Sequence, residues 1–296
     1  MHIDFYKGEM GAMKIGLFIP TYNAGSDFEK VLNNIDKSLE NVNFEVKKLI
    51  IDSFSDDETV LIARKHNFRI EKISRNEFTH GEVRKRAAIY LSDCEYIIYM
   101  TQDVFVNNKT IESLLNFIEN HSDMVVAYCR QEVDIEDTNV LEQRTKEFNY
   151  PKNSCVKTKQ DIPNLGIKTA FSSDAFAIYR RKLLMKIGSF PKDIKYCEDV
   201  FVAAKAIHSG FSVGYCADAF VVHSNKMNLK QKFVRYRNIG RFHKENVWIQ
   251  KEFGSNEAEG IKLVLNEWQF LIEQKKAYLI PYSFFMNLIK FIAYKF

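Results

Sequence analysis

The chain has 296 residues, of which 46% are hydrophobic and 27% are charged, so its composition is that of a globular protein with a sizeable core. Lys and Arg outnumber Asp and Glu by 42 to 38, and a net charge of +4 is too small to favour nucleic acid as the main partner. The sequence shows neither a signal peptide nor the run of roughly 18 apolar residues that a membrane span needs, so we expect a protein that does not cross a bilayer.

The first 130 residues alternate short apolar runs with helical periodicity. We predict strands at residues 15–19, 48–51, 68–73, 96–100 and 124–128, and helices near residues 28–39, 60–63, 79–91 and 111–118. This alternation is typical of a parallel sheet joined by right-handed crossovers. Residues 1–12 show no clear periodicity, so residues 1–13 are expected to be a leader that precedes the first strand.

The pattern changes after residue 130. Periodicity fails between residues 130 and 166, which predicts a long functional loop. Further strands are predicted at residues 175–179, 213–215 and 220–222, with helices from Arg181 and at residues 198–208. Residues 226–251 carry eight Lys or Arg and one acidic residue, interleaved with aromatic residues, and helices near residues 257–274 and 283–293 complete the chain.

Polar residues follow three of the predicted strands. These residues are Pro20-Thr21, Asp52-Ser53 and Thr101-Gln102-Asp103. Because the carboxyl ends of parallel strands meet at one edge of a sheet, we expect a single cleft with two carboxylates. One aspartate can accept the imide N–H of a pyrimidine base, and another can hold a divalent metal ion. The alternative for Asp103 is that it caps the helix that starts near Thr110.

Four further residues are candidates, and each has an ordinary alternative. Arg84 can contact a base or phosphate, or it can belong to a solvated helix face. Glu198-Asp199 opens an apolar helix, where it either caps the helix or supplies a general base. Acids at a helix start normally have lowered pKa values, so a base there is expected to work by geometry. His223 can bind a metal ion or phosphate, or be an ordinary surface residue.

Five signatures resemble, in their order along the chain, those of family 2 glycosyltransferases with the GT-A fold. They are Phe18-Ile19-Pro20-Thr21-Tyr22-Asn23, residues 51–59, Phe78-Thr79-His80-Gly81 with Arg84 and Ala87-Ala88, Thr101-Gln102-Asp103, and Glu198-Asp199. The His-Gly helix start, the Gln-Asp in place of Asp-x-Asp, residues 148–151 and His223-Ser224 are similar to those of bacterial rhamnosyltransferases. The resemblance covers roughly residues 14–293.

The resemblance implies an inverting transfer from a nucleoside diphosphate sugar. By it, Thr21 and Asp52 match positions that meet the nucleotide base, and Asp103 matches the aspartate that binds Mg²⁺ or Mn²⁺. By the same resemblance, the donor nucleotide is also bound by Pro20, Arg84, Thr101 and Gln102. His223 matches a residue at the metal ion or diphosphate. Asp199 matches the general base, and Glu198 matches its partner. Two departures are that Thr101 replaces the first aspartate of the usual pair, and that Phe54 and Glu58 replace small residues.

We therefore expect an α/β fold with a GT-A type mixed sheet flanked by helices. Residues 14–225 would form the catalytic domain, with a nucleotide-sugar half at residues 14–130 and an acceptor half at residues 131–225. Residues 226–296 would form a basic and aromatic helical extension. The expected reaction transfers L-rhamnose from dTDP-β-L-rhamnose to a lipid diphosphate-linked glycan of a bacterial surface polysaccharide (O-antigen, capsule or cell wall).

Five widely spaced cysteines are typical of reduced thiols, so we expect a cytoplasmic enzyme. The basic, aromatic segment 226–251 and the amphipathic C-terminal helix predict peripheral contact with the inner face of the cell membrane, and the alternative for the segment is a solvated helix with aromatic core contacts. One alternative is a family 2 transferase with a UDP-hexose donor, and another is a non-catalytic module that binds a nucleotide sugar. Nucleotidyl transfer to a sugar phosphate would require a glycine-rich, basic loop after the first strand, which residues 20–25 do not provide.

Overall fold

The computed structural model describes residues 13–40, 42–134, 139–223 and 227–296, so the expected leader lies almost wholly outside the described residues, as do Ser224 and the expected domain boundary at residues 225–226. Within the described residues, nine strands form one sheet. They are β1 Lys14–Thr21, β2 Glu45–Asp52, β3 Arg69–Lys72, β4 Tyr96–Met100, β5 Phe105–Val106, β6 Met124–Glu132, β7 Cys155–Lys157, β8 Phe176–Arg180 and β9 Ser212–Val222. Their order is β3-β2-β1-β4-β8-β6-β9-β5, and β7 also pairs with β9.

Helices lie between and after these strands. They are α1 Phe28–Leu39, α2 Thr59–Lys65, α3 His80–Tyr90, α4 Thr110–Glu119, α5 Val140–Asn149, α6 Ile162–Leu165, α7 Arg181–Lys186, α8 Glu198–His208, α9 Leu229–Glu245, α10 Val247–Phe253, α11 Asn256–Glu273 and α12 Ile280–Lys295. Short 3-10 turns lie at Arg75–Glu77, Lys159–Asp161, Gly166–Ala170 and Ala277–Leu279. No helix in the described part of the chain is long and apolar enough to cross a membrane.

The sheet is parallel in its first half and mixed in its second half. β3, β2, β1 and β4 run parallel, as their alternation with helices predicts. β8 then lies antiparallel between β4 and β6, and β9 runs parallel to β6. Every residue of β4 is buried, and its side chains alternate between the two core clusters that cover the two faces of the sheet. The mixed α/β sheet is thus confirmed.

Two local predictions were wrong. Residues 130–166 are not one irregular loop, because they contain α5, β7 and α6. No residue of α5 is fully buried, so the helix has no apolar stripe for the sequence to reveal. The two strands predicted at residues 213–215 and 220–222 are one strand, β9, with an irregular register between Cys216 and Phe220. In addition, the strand β5 was not predicted, because two residues are too few to show the alternating hydrophobicity of a strand.

The C-terminal helices pack directly on the sheet domain. Phe242 of α9 and Ile249 and Phe253 of α10 are buried in the same cluster as the sheet residues. Helices α9 and α12 approach closely at Gly240, where an added Cβ atom would lie 1.9 Å from the carbonyl oxygen of Tyr294. Only glycine permits this approach of the two backbones. The predicted helices near residues 257–274 and 283–293 are α11 and α12.

Candidate active site

Three strands end in polar residues at one edge of the sheet, as the sequence predicts. Thr21 lies opposite Asp52 at the end of the ladder between β1 and β2, and Pro20 lies opposite Ile51. Thr21 Oγ1 donates a hydrogen bond of 2.8 Å to Asp52 Oδ1. Ser55 donates its backbone N–H to Asp52 Oδ2 at 2.9 Å and its hydroxyl to Oδ1 at 2.6 Å. The buried carboxylate of Asp52 therefore holds the two strand ends together.

Gln102 connects the loop after β4 to the loop after β1. Its amide oxygen accepts from Tyr22 N at 2.9 Å, and its amide nitrogen donates to Tyr22 O at 3.2 Å. The guanidinium of Arg75 lies 3.9 Å from the centroid of the Tyr22 ring. Phe54 is 69% exposed, and its φ of 68° places it in the left-handed region. The partly exposed rings of Tyr22 and Phe54 thus lie in the two loops beside Asp52. This side of the site is the one predicted to hold a nucleotide.

The two predicted metal ligands, Asp103 and His223, are brought into contact by a strand that the sequence did not reveal. Phe105 of β5 pairs with Val222 at the end of β9, which brings the residues just before β5 close to His223. His223 Nε2 lies 3.3 Å from Asp103 Oδ2, and the Asp103 side chain is 45% exposed. Asp103 does not cap α4, because the residue before that helix is Lys109. The alternative of a capping residue is excluded.

The neighbours of Asp103 and His223 influence the pKa of Asp103 and the orientation of the His223 ring. Burial opposes ionisation of Asp103, but hydrogen bonding and charge from His223 outweigh it and lower the pKa of Asp103. Gln131 Oε1 lies 3.0 Å from His223 Nδ1 and also accepts from Lys146 Nζ. Because Gln131 Oε1 is an acceptor, His223 donates to it through its Nδ1–H, and His223 Nε2 faces the carboxylate of Asp103.

Arg84 is buried in a cluster of carboxylates, and the expected solvated helix face does not apply to it. Its Nε lies 2.7 Å from Asp174 Oδ2, and its Nη1 lies 3.0 Å from Glu198 Oε1. Tyr179 OH donates to the other oxygen of Asp174 at 2.6 Å. With 2% of its surface exposed, Arg84 has its guanidinium committed to groups inside the protein. Its predicted contact with the donor stays a prediction, and in this structure its partners are carboxylates of the protein.

Asp199 lies beside this cluster at the start of α8. Its Oδ1 accepts from Val200 N at 2.8 Å, and its Oδ2 accepts from Asp174 N at 3.3 Å. Burial, followed by the negative charge of Glu198, raises the pKa of Asp199 to about 6. The lowered pKa expected at a helix start was wrong, because desolvation outweighs the helix dipole here. A carboxylate with a raised pKa is a stronger base, which suits proton abstraction near neutral pH.

Asp174 is a site residue that the sequence analysis missed. It precedes β8, and β8 runs antiparallel to β4, so the amino end of β8 lies at the edge where β4 ends. Burial raises the pKa of Asp174 to about 7, although Arg84 lowers it. The polar run Ser172-Ser173-Asp174 before an apolar strand was visible in the sequence. Only the antiparallel direction of β8 shows that this run reaches the cleft.

One short segment, Ser173-Asp174, connects the two halves of the site. Ser173 Oγ accepts a hydrogen bond of 2.7 Å from Gln131 Nε2, and Gln131 holds His223. Asp174 donates its backbone N–H to Asp199 and binds Arg84 with its side chain. The metal-side pair and the carboxylate at the start of α8 are thus fixed relative to each other. This amino end of β8 is the structural centre of the cleft.

The helix α8 is placed by a close contact between α3 and the loop before α8. Gly81 N donates to Ile194 O at 3.3 Å, and an added Cβ atom at Gly81 would lie 1.9 Å from Pro191 O. The loop ends at Cys197, whose φ of 62° is left-handed, and α8 begins at the next residue. Arg84 lies one turn further along α3, where it reaches Glu198. The His-Gly helix start therefore aligns the arginine with the acidic pair.

Comparison with known proteins places this site in a family. Residues 17–188, more than half of the chain, match Glycosyl transferase family 2. The O-antigen chain rhamnosyltransferase RfbN of Salmonella typhimurium is 39% identical over 285 residues, which cover 96% of this chain and 89% of RfbN. The O-antigen chain rhamnosyltransferase WbaN of Salmonella anatum is 37% identical over 281 residues, which cover 94% of this chain and 87% of WbaN.

Solved structures show the same fold at low sequence identity. The mannosyltransferase PcManGT of Pyrobaculum calidifontis, in complex with GDP-Man and Mn²⁺, superposes with a TM-score of 0.67 at 16% identity, over 98% of this chain and 88% of that one. TarS 1-349 of S. aureus superposes with a TM-score of 0.56 at 19% identity, over 96% and 89% of the two chains. The fold is therefore of the GT-A type. With its site, its family match and relatives that align over nearly its whole length, the chain belongs to glycosyl transferase family 2 and is a glycosyltransferase.

Proposed function

We propose that this enzyme transfers L-rhamnose from dTDP-β-L-rhamnose to a hydroxyl group of a lipid-linked bacterial surface glycan, with inversion at the anomeric carbon. The relatives RfbN and WbaN, both described as O-antigen chain rhamnosyltransferases, support the sugar and the class of acceptor. The main support for the mechanism is the position of the Ser173-Asp174 segment. Its hydrogen bonds to Gln131 and Asp199 fix the pair Asp103 and His223 relative to Asp199. A donor diphosphate held by the pair would place its sugar beside a base.

The nucleotide lies at the ends of β1 and β2. Asp52 Oδ1 and Oδ2 accept three hydrogen bonds from Thr21 and Ser55, and a carboxylate has about four lone-pair sites, so one remains for the imide N–H of thymine. Because Asp52 is buried, the base reaches this site only when the loops of Tyr22 and Phe54 move apart. Tyr22 and Phe54 offer aromatic surface beside it. Pro20, Thr101 and Gln102 shape the rest of this pocket, since Gln102 holds the Tyr22 loop in place through two hydrogen bonds.

Asp103 and His223 suit a hard divalent ion such as Mg²⁺ or Mn²⁺. A carboxylate oxygen and an imidazole nitrogen face each other at 3.3 Å, and Gln131 and Lys146 support the histidine from behind. Among the described residues no group of three or more His, Cys, Asp or Glu could hold a metal ion, so diphosphate oxygens and water must supply the other ligands. When bound, such an ion stabilises the negative charge on the departing diphosphate.

Asp199 acts as the general base. Its carboxylate accepts the proton of the acceptor hydroxyl as the oxygen forms a bond to the anomeric carbon and the bond from that carbon to the diphosphate breaks. A single displacement inverts the configuration, so a β-linked donor gives an α-L-rhamnoside. Glu198 and Asp174 bind Arg84. Arg84 thereby positions the start of α8, which carries the base, and the amino end of β8, which contacts the base. We assign Arg84 to this positioning role.

The acceptor is a lipid diphosphate-linked glycan at the cytoplasmic face of the membrane. Segment 226–251, with its eight Lys or Arg residues, supplies positive charge for the acceptor diphosphate and for anionic lipid headgroups. His223 and the start of α9 at Leu229 are close along the chain, so this basic helix begins near the site. The enzyme on this proposal is cytoplasmic and peripheral to the membrane.

A donor screen tests the proposal. Purified protein with Mn²⁺ and a lipid-linked glycan acceptor is incubated with dTDP-rhamnose, UDP-hexoses and GDP-mannose, and both the release of nucleoside diphosphate and the thermal shift are measured. We expect selective stabilisation and turnover with dTDP-rhamnose. Turnover with a UDP-hexose alone would show the alternative donor class. Binding of a nucleotide sugar without turnover of any donor would show a non-catalytic module.

A further inference from the structure

Helix α12 exposes its apolar side and turns its polar side inward. Five large apolar residues follow the i, i+1, i+4, i+7, i+8 spacing of one helix face, and each is between 40% and 55% exposed. They are Phe284, Phe285, Leu288, Phe291 and Ile292. A helix of a water-soluble globular protein normally buries such a face. The exposed face of α12 therefore needs an apolar partner.

The inward side of α12 is held by polar contacts. Ser283, which is fully buried, donates to Glu267 of α11 and accepts from Trp268 Nε1 at 3.1 Å. Gln250 of α10 donates to Tyr294 OH at 3.0 Å. These hydrogen bonds fix the rotation of α12 about its axis, because buried polar groups lose their partners if the helix turns. The outward orientation of the apolar face is thus built into the fold.

A second exposed apolar stripe on α11 adjoins the first. Ile261, Leu265 and Ile272 are 63%, 58% and 60% exposed and share one helix face with Trp268. The ring centroids of Trp268 and Phe284 lie 6.4 Å apart, so the two stripes meet. The C-terminal apolar face is defined by two sets of residues: Ile261, Leu265, Trp268 and Ile272 of α11, and Phe284, Phe285, Leu288, Phe291 and Ile292 of α12. A face of this size on a soluble protein marks an interaction surface.

The charges around the face identify its partner. On the α12 side of the face, residues 274–296 contain four lysines, Lys275, Lys276, Lys290 and Lys295, and neither Asp nor Glu. The α11 side carries four glutamates and one lysine, and Lys295 pairs with Glu257 of α11, so the positive charge lies along α12. Basic residues beside an aromatic and aliphatic helix face are typical of helices that lie in the interface of an anionic bilayer. At 16 residues α12 is about 24 Å long, which is shorter than the roughly 30 Å hydrocarbon core, so it is too short to span a bilayer.

We propose that the C-terminal apolar face docks the enzyme on an anionic phospholipid bilayer, with the rings of α12 inserted at the level of the headgroups. The inference deepens the proposed function by naming the surface that meets the membrane. An apolar groove of about 720 Å³ between α9 and α12 adjoins the face and is lined by Leu229, Lys230, Phe233, Val234, Ile289 and Ile292. Since α9 begins soon after His223, docking brings the membrane surface to the acceptor side of the cleft.

Vesicle co-sedimentation of the full chain tests this docking surface. The double variant Phe285→Gln/Phe291→Gln is compared with the control double variant Leu61→Gln/Ile89→Gln, whose two residues are 55% and 56% exposed on α2 and α3. Vesicles contain phosphatidylglycerol and phosphatidylcholine, or phosphatidylcholine alone. We expect the wild type and the control to bind the anionic vesicles, and the Phe285/Phe291 variant to bind at least about tenfold more weakly.

Three results would overturn the proposal. The first is no binding of the wild type to anionic vesicles, and the second is equal binding by the two double variants. The third is a wild-type dimer by light scattering that the Phe285/Phe291 variant converts to a monomer, since a second copy would then cover the face. Thermal unfolding and thermal shift with dTDP-rhamnose are measured on the same samples. Vesicle binding without any response to dTDP-rhamnose would support the docking surface and contradict the proposed donor.

Discussion

Arg84 Nε lies 2.7 Å from Asp174 Oδ2, and the two side chains are 3% and 2% exposed. The same guanidinium binds Glu198 at 3.0 Å, so one positive charge joins α3, the amino end of β8 and the start of α8. Burial opposes the charge on Arg84, but Glu198, Asp174 and Asp199 together raise its pKa above the ordinary value. Arg84 is therefore the cation on which this acidic site depends.

We expect Arg84→Met to destabilise the protein by about 3–5 kcal/mol at pH 8, because it leaves buried carboxylates without their cation. At pH 5 the loss should be smaller, since burial already raises the pKa of Asp174 to about 7 and the carboxyl then takes up a proton. Urea unfolding at the two pH values measures both effects. The neighbouring Lys85→Met is the control and should change the stability by less than about 1 kcal/mol. Equal stability of the Arg84 and Lys85 variants would contradict this account of the cluster.

The pH profile of kcat/KM should report the ionisation of Asp199. The base works only when ionised, and its pKa is raised to about 6, so activity should fall about tenfold per pH unit below that value. Asp199→Asn should lower kcat by about 10²–10⁴-fold and abolish this acidic limb. Asp193→Asn, an exposed aspartate in the loop before α8, should retain both the rate and the limb. Full transfer by Asp199→Asn would exclude Asp199 as the base.

Loss of Asp103 should harm activity far more than loss of Thr101. Asp103 faces His223 with its carboxylate, whereas the Thr101 hydroxyl is buried and makes no hydrogen bond within the described residues. We expect Asp103→Asn to abolish the response of activity to added Mn²⁺, and Thr101→Ala to shift the Mn²⁺ titration by less than about tenfold. EDTA should stop turnover by the wild type. Comparable titrations for the two variants would show that Asp103 does not bind the metal ion.

Gly81 and Gly260 form a matched pair of helical glycines. A Cβ atom at Gly81 would meet Pro191 O at 1.9 Å, whereas one at Gly260 would have no neighbour within 4 Å. Gly81→Ala should therefore cost about 1–3 kcal/mol of unfolding free energy and lower activity, because the loop before α8 must shift. Gly260→Ala should raise the unfolding free energy by about 0.5–1 kcal/mol. Urea unfolding of both variants checks the prediction, and a stable, active Gly81→Ala would contradict the close contact.

Elements whose residues carry a strong local pattern can be predicted from the sequence. The apolar stripe of Phe28, Val31, Leu32 and Ile35 predicted α1, and the uninterrupted apolar run at residues 96–100 predicted a strand buried on both faces. The polar ends of β1, β2 and β4 also predicted one cleft, because parallel strands place their carboxyl ends together. These inferences need only local periodicity and the chain direction.

The tertiary structure alone decided how the site is assembled. The antiparallel direction of β8 brings Asp174 to the cleft, and the two-residue strand β5 brings Asp103 to His223. Neither pairing leaves a local signal, because strand direction and partner are set by contacts between residues that are distant in sequence. The burial of Arg84 and the raised pKa of Asp199 likewise depend on desolvation, which is a property of the packed protein and not of the residue type.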